Sequence, residues 1–317
     1  MKNDVEVSKG DGLAYKLNNR KGLTEKTKDK FFLISILLPA ALLLCFTIGI
    51  PIVKSLYMSF FDVKLLSMND YTWNQFANYK KVITDPEFFH STYITFKYVI
   101  IVVLLQFAFG LLLALILNSN IRFRRFLRTV VLLPWIVPTI VTALLWMWLF
   151  QPQYGLINYV LQSLNIINEP NQWLQSIDLA LPAIIVTALW RQLPFMSTML
   201  LAGLQGIPEQ LYEAAKIDGA SKLQLFWHVT LPMLKGTIKT VSLIAIIENF
   251  KMFPLFWIMT GGGPLDSTTT LAILSYETAF TDLDLGLGAT IGAIWLVIML
   301  VVAWLYNMMF KLGSNKV

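Results

Sequence analysis

The sequence predicts an all-α integral membrane protein with six transmembrane helices, and three observations carry that prediction. Hydrophobic residues make up 56% of the 317 positions against 14% charged, with a mean hydropathy of +0.62, more apolar side chain than a soluble core of this length buries. Six apolar runs can each cross ~30 Å of hydrocarbon, which takes about 20 helical residues. Period-two alternation is absent, and backbone groups in lipid must be satisfied internally, so helices are the spanning structure.

Residues 1–30 hold eight Lys/Arg and no apolar periodicity, and read as a cytoplasmic N-terminal tail. The run 31–53 is too long for a signal-peptide core and has no small-residue cleavage site close behind it, so it is expected to remain as the first transmembrane helix. Residues 54–92 form an extracytoplasmic loop. The core transmembrane domain, 93–310, contains spans at 93–117, 126–150, 180–204, 237–260 and 286–310, and 311–317 is a cytoplasmic C-terminal tail. Loop 118–127 carries Arg122, Arg124 and Arg125 and no acid. Loop 151–179 holds only Glu169 and Asp178, and loop 261–285 only Asp266, Glu277, Asp282 and Asp284. The positive-inside rule then puts both termini and loops 118–127 and 205–236 in the cytoplasm. Lys54, Lys64, Lys80 and Lys81 of the 54–92 loop are an exception, balanced by Asp62, Asp70, Asp85 and Glu87, and long loops weigh less.

One polar stretch between the spans is too helical to be a plain connector. Pro208 suits the opening of a helix that starts near Glu209, and acids at Glu209 and Glu213 favour a helix N-terminus. Asp218-Gly219 breaks that helix, with Asp218 expected to cap the next one, over Ser221 to His228, which runs into Pro232 at the opening of a span. An amphipathic linker lying on the bilayer surface is the plainer alternative.

Several chemistries are excluded. The net charge of +6 is concentrated in the tail and the Arg122–Arg128 loop, where topology explains it better than nucleic acid does. Gly261-Gly-Gly-Pro-Leu-Asp-Ser267 lacks the Gly-Lys-Ser/Thr of a phosphate-binding loop. Gly286, Gly288 and Gly292 open an apolar helix with no preceding strand, and Gly288 and Gly292 suit close helix packing. His90 and His228 have no accompanying ligand set, and the single Cys45 gives no disulfide and no cysteine metal site. No catalytic residue is expected.

The informative polar residues lie in the spans. Arg191, Glu248, Asn249 and Lys251 fall near mid-depth and should face a partner or a wet cavity. Glu248 and Lys251, three apart, can pair on one helix face. Pro194 and Pro254 leave the carbonyls of Trp190 and Phe250 without donors, so each helix is expected to kink beside its charges. The expected result is a midplane site between the fourth and fifth apolar helices.

Glu213-Ala214-Ala215, then Gly219, Val229 and Leu231-Pro232, resembles the EAA loop of bacterial ABC importer permeases, with Val229 in place of the usual Ile. Phe76-Ala-Asn-Tyr79, Arg128-Thr-Val-Val-Leu-Leu-Pro134, Leu201-Ala-Gly-Leu-Gln-Gly-Ile-Pro208 and Thr260-Gly-Gly-Gly-Pro264 are similar to stretches of the carbohydrate-type, MalF/UgpA-like branch. The resemblance covers about residues 31–310 and implies a type I importer permease fold in the bacterial cytoplasmic membrane. It implies that 209–228 are coupling helices docking on a separate ATPase through Glu213, Ala214, Ala215, Asp218 and Gly219. It further implies carbohydrate contacts at Arg191, Gln192, Glu248, Asn249 and Met252, to which Trp190 or Phe253 would add a stacking face. The charged lining leaves an acidic saccharide open. Implied partners are a second permease subunit, an ATP-binding cassette dimer holding ATP and Mg, and an extracytoplasmic solute-binding protein, with no cofactor in this chain. Two rivals stand beside this reading: an ion-coupled secondary transporter using Glu248, and a structural membrane subunit without a transport path.

Overall fold

A computed structural model describes residues 29–30, 32–67 and 70–314, with side chains described up to Phe310. The tail at 1–30 thus lies, but for residues 29 and 30, outside the described residues, as do residues 315–317. The chain divides after Tyr57 into two compact units. The first is built on helix α1, Phe32–Met58, a continuous apolar helix with a π turn at Cys45–Gly49.

The second unit opens on a short antiparallel hairpin, β1 (Phe61–Asp62) and β2 (Thr72–Trp73), followed by α2 (Ala77–Thr84). Aromatic rings hold this hairpin together: Phe60 lies 6.0 Å from Trp73, 5.3 Å from Phe76 and 5.2 Å from Tyr79. The membrane helix α3 runs from Pro86 to Asn118, beginning before the apolar run itself. Asp85 explains the early start, since its carboxylate accepts from the Glu87 amide at 3.0 Å and Pro86 takes the first position, where a missing N–H costs nothing.

Residues 126–150, expected to be one span, form two helices, α4 (Arg124–Ile136) and α5 (Thr139–Leu149), meeting at 94°. The cause is Pro138: the residue before a proline is pushed out of the helical region, and Val137 sits at φ −66°, ψ 128°. After the short helix α6 (Leu156–Ser163), α7 (Ile177–Gln205) passes through Pro182 and Pro194 as one helix. It leads into α8 (Glu209–Ile217) and then α9, Lys222–Phe250.

Helix α9 differs from the expected short helix followed by a span. It continues through a π turn at Phe226–Thr230, in which the Leu231 amide reaches back five residues to the Phe226 carbonyl, and Pro232 enters without a break. Its far end is likewise different, because the helix stops at Phe250 instead of kinking, and α10 (Pro254–Met259) starts afresh with Pro254 in its first turn. The segment expected as a loop at 261–285 carries helix α11 (Leu271–Tyr276) and a π turn at Glu277–Thr281 before α12, Leu285–Ser314. Gly288 is needed there, since a Cβ on it would stand 2.6 Å from that of Ala279. Among the described residues five helices are long and apolar enough to cross a membrane, six if the bent α4–α5 pair is one span.

Two packed layers set the ends of the core unit. Leu111, Ala114 and Leu117 of α3 pack with Leu200, Leu201 and Leu204 of α7 and Leu234 of α9, so the arginine-bearing turn and the α8 elbow emerge at one end. Arg128 closes that end of α3 by donating to the Leu117 carbonyl at 2.9 Å. At the other end Phe88 packs with Leu271, Leu274 and Leu287, beside the hairpin that Lys64 ties to Asp284.

Candidate functional site

Polar groups that bear on function gather in the elbow and in the middle of the membrane helices. The elbow is shaped by its own backbone. Helix α8 ends in a paired reverse turn: the Gly219 amide donates to the Lys216 carbonyl at 3.0 Å and the Ala220 amide to that of Ala215 at 2.9 Å. Gly219 sits at φ +81°, where a side chain is strained, although a Cβ there would meet nothing within 4 Å. Asp218 closes α8 and, contrary to expectation, does not cap the next helix. That role falls to Ser221, whose hydroxyl accepts from the Gln224 amide while the Gln224 side chain accepts from the Ser221 amide at 2.8 Å. Ser221-Lys-Leu-Gln224 is the sequence signal for such a reciprocal cap. Tyr212 reaches the Thr230 hydroxyl at 3.1 Å and holds α8 against the π turn of α9. Glu213, Ala214, Asp218 and Gly219 are exposed, and Ala215 is half-buried. Ile217, 86% exposed, Leu223, 68%, and Trp227, 56%, leave the elbow with apolar side chains uncovered.

The second place is a cavity of about 280 Å³ between α3, α4, α7 and α9. Arg191, Gln192, Glu248 and Met252 line it, together with Gln106, Trp135, Phe195, Met196, Ile244 and Ala245. Trp135 of α4 stacks on Phe195 of α7 at 5.6 Å and 24°, giving the cavity a flat aromatic wall.

Behind that lining is a closed ring of amides. Gln192 Nε2 donates to Asn249 Oδ1 and Asn249 Nδ2 to Gln192 Oε1, both at 3.1 Å, so the two side chains satisfy each other. Gln106 donates to Gln192 at 2.8 Å and Tyr98 to Asn249 at 2.9 Å, which brings α3 into the same network. Gln106, Tyr98 and Asn249 are 1–2% exposed. Such groups in an apolar interior cost free energy unless paired, and here each side chain is paired.

Asn249 thus stands behind the cavity wall, and two other expected contacts are placed elsewhere. Trp190 turns to Trp146, 5.9 Å away, and Phe253 stacks on Trp257 at 5.7 Å; neither is among the lining residues. Glu248 and Lys251 pair at 2.7 Å, each about half exposed. Gln106 is visible in the sequence as a lone amide in the run Val102-Val-Leu-Leu-Gln-Phe107, whereas nothing local marks the Trp135–Phe195 wall. Among the described residues no group of His, Cys, Asp and Glu is placed to hold a metal ion.

Residues 106–311 match the family described as binding-protein-dependent transport system inner membrane component. The chain is 36% identical over 278 residues, 88% of its own length and 90% of the relative's, to the sulfoquinovosyl glycerol transport system permease protein SmoG of Agrobacterium fabrum. It is 39% identical over 224 residues, 70% of its length and 75% of the relative's, to the trehalose/maltose transport system permease protein MalF of Thermococcus litoralis. The fold is similar to that in the crystal structure of a bacterial ABC transporter involved in the import of the acidic polysaccharide alginate, with a TM-score of 0.77 at 21% identity, covering 91% of this chain and 98% of that one.

Proposed function

Because the chain belongs to the family of binding-protein-dependent transport system inner membrane components, we propose that it forms half of the pathway of an ABC importer for a carbohydrate. The observation that carries this reading is the mid-helix cavity, where an aromatic wall, two amides, a guanidinium and a carboxylate converge between helices of a permease. That mixture fits a sugar, since ring faces stack on aromatic planes and hydroxyls accept hydrogen bonds from amide N–H groups and donate them to carboxylates. The names of the relatives support it, being those of permeases for sulfoquinovosyl glycerol and for trehalose and maltose.

The elbow is the coupling device. Its two helices are fixed to each other by the turn at Gly219 and the cap at Ser221, so it moves as a rigid body, and its exposed Ile217 and Leu223 suit a cleft on a separate ATPase. ATP and Mg are held by that ATPase dimer. One chain presents one elbow, so a second permease subunit completes the pathway across a pseudo-twofold axis. A solute-binding protein delivers the sugar from outside. The elbow and both termini face the cytoplasm of a bacterial inner membrane, in line with the emergence of the elbow beside Arg122, Arg124 and Arg125.

The test is uptake into proteoliposomes by the complex assembled from this chain, its second permease and its ATPase, with binding protein added outside. Uptake that requires ATP and all components is expected. Gradient-driven uptake by this chain alone overturns the reading in favour of a secondary transporter.

A further inference from the structure

We propose that the cavity selects an anionic saccharide, one carrying a carboxylate or a sulfonate, and that Arg191 is the residue that selects it. This inference rests on the carbohydrate reading above and adds the charge of the substrate.

The argument begins with what Arg191 lacks. It lines the cavity from the middle of α7, where a cation is costly unless a counter-charge faces it. Its Nε is buried without a hydrogen-bond partner, and no ion pair to Arg191 exists among the described residues. Glu248 is the only carboxylate among the described residues lining the cavity, and it is held at 2.7 Å by Lys251. Glu248 thus has its ion pair with Lys251, which stands outside the lining, and Arg191 is left without one of its own.

The amides do not serve as partners for the guanidinium. Gln192, its neighbour in sequence, is bonded to Asn249 and Gln106, and that ring of hydrogen bonds keeps the Gln192 carbonyl oxygen engaged. Opposite chemistry lies close by: Trp135 and Phe195 offer a flat apolar face to a pyranose ring. A sugar stacked there with an acidic group turned to Arg191 would satisfy the guanidinium by charge-assisted, two-pronged hydrogen bonding. A neutral sugar would leave the guanidinium without an ion pair.

The experiment uses three probes that differ only at carbon 6 of the sugar: glucosyl glycerol with a hydroxyl, glucuronosyl glycerol with a carboxylate and sulfoquinovosyl glycerol with a sulfonate. Each is titrated calorimetrically into the assembled complex in nanodiscs without binding protein, so that the permease cavity alone is read. At least one acid is expected to bind about tenfold or more tighter than the neutral probe, the discrimination that one charge-assisted bond supplies. Which acid is preferred separates carboxylate from sulfonate. In Arg191→Gln the ratio of acid to neutral affinity should collapse towards one, whatever the neutral probe itself loses, and Arg191→Lys should keep part of that ratio. If the neutral probe binds wild type as tightly as both acids, the charge selection is wrong and the carbohydrate reading stands. Equal losses for all three probes in Arg191→Gln mean that the guanidinium is structural. Binding of none of the three by an assembled complex overturns the carbohydrate reading and this inference together.

Discussion

The elbow and the cavity wall are both tied by hydrogen bonds and are held in opposite ways. In the elbow, the bonds run between residues a few positions apart, from Ala220 to Ala215 and from Ser221 to Gln224, and no side chain of α8 is buried. At the cavity, Tyr98 and Asn249 are 151 residues apart and Gln106 and Gln192 are 86 apart, and Tyr98, Gln106 and Asn249 are almost fully buried. The elbow's turn and cap are closed by neighbouring residues, and the single Tyr212–Thr230 bond sets α8 against α9. The cavity wall exists only when α3, α7 and α9 are packed, so its geometry follows any movement of those helices.

Replacing Gly219 by Val tests the first half of this contrast and should give the largest effect on transport. A β-branched residue at φ +81° costs about 1–2 kcal/mol or more of backbone strain. Since no atom lies within 4 Å of the added Cβ, the strain stays in the turn and re-aims α8 against α9. Expected are assembly and thermal stability near wild type, with ATP-driven uptake reduced at least about tenfold, an effect of roughly 1.4 kcal/mol. Wild-type uptake in Gly219→Val would show that the angle of the elbow does not matter.

Asn249→Leu tests the second half and should act on stability. It removes four hydrogen bonds of the Asn249 side chain, one with Tyr98, two with Gln192 and one to the Ala245 carbonyl, and leaves the buried Tyr98 hydroxyl and the Gln192 Nε2 without partners. Each orphaned group costs about 1–3 kcal/mol, so the purified chain should melt several degrees lower, as read by the exposure of its tryptophans. An unchanged melting temperature would mean that the amide ring does not hold the three helices.

The same contrast decides what the amino-acid order reveals. The start of α8 at Glu209, its end at Gly219 and the reciprocal cap at Ser221 are encoded within a few residues, and local rules read them, even though Asp218 is a tempting wrong choice for the cap. The break after Val137 is also written in the chain, as Pro138, but a run of apolar residues on both sides hides it from a reading based on span length. Trp190 and Arg191 are neighbours that face different surroundings, one the Trp146 ring and the other the cavity, and hydropathy does not distinguish them. Which amide meets which is a tertiary fact, and so Asn249 and Gln192 could be placed at the right depth without being known as partners of each other.

A smaller effect is expected at the elbow's cap. Ser221→Ala removes the hydroxyl that accepts from Gln224, a loss of about 1 kcal/mol at an exposed helix start. Hydrogen exchange of the amides at 222–225 should quicken severalfold, while protection in the buried part of α9 stays as it is. Loss of protection along the whole of α9 would contradict the view that the elbow is locally held.

Lys64 and Asp284 separate the two variables that the contrast has so far kept together, because this pair joins residues 220 apart and yet leaves its lysine half exposed. If burial gives the cavity network its stability, this long-range bond, solvated on its lysine side, should contribute less, and Lys64, half exposed, is screened accordingly. Lys64→Met is expected to cost under about 1 kcal/mol, read as faster exchange in the β1–β2 hairpin with little change in melting temperature. The hydrogen bond from Lys64 to Asp284 raises the lysine above its ordinary value, so its contribution is full below pH 10.5 and fades as pH climbs through the raised value. The difference in hairpin protection between wild type and Lys64→Met should therefore persist from neutral pH to about 10 and shrink only above it. A cost at Lys64 as large as that at Asn249 would show that sequence separation, and not burial, is what makes the inner network strong.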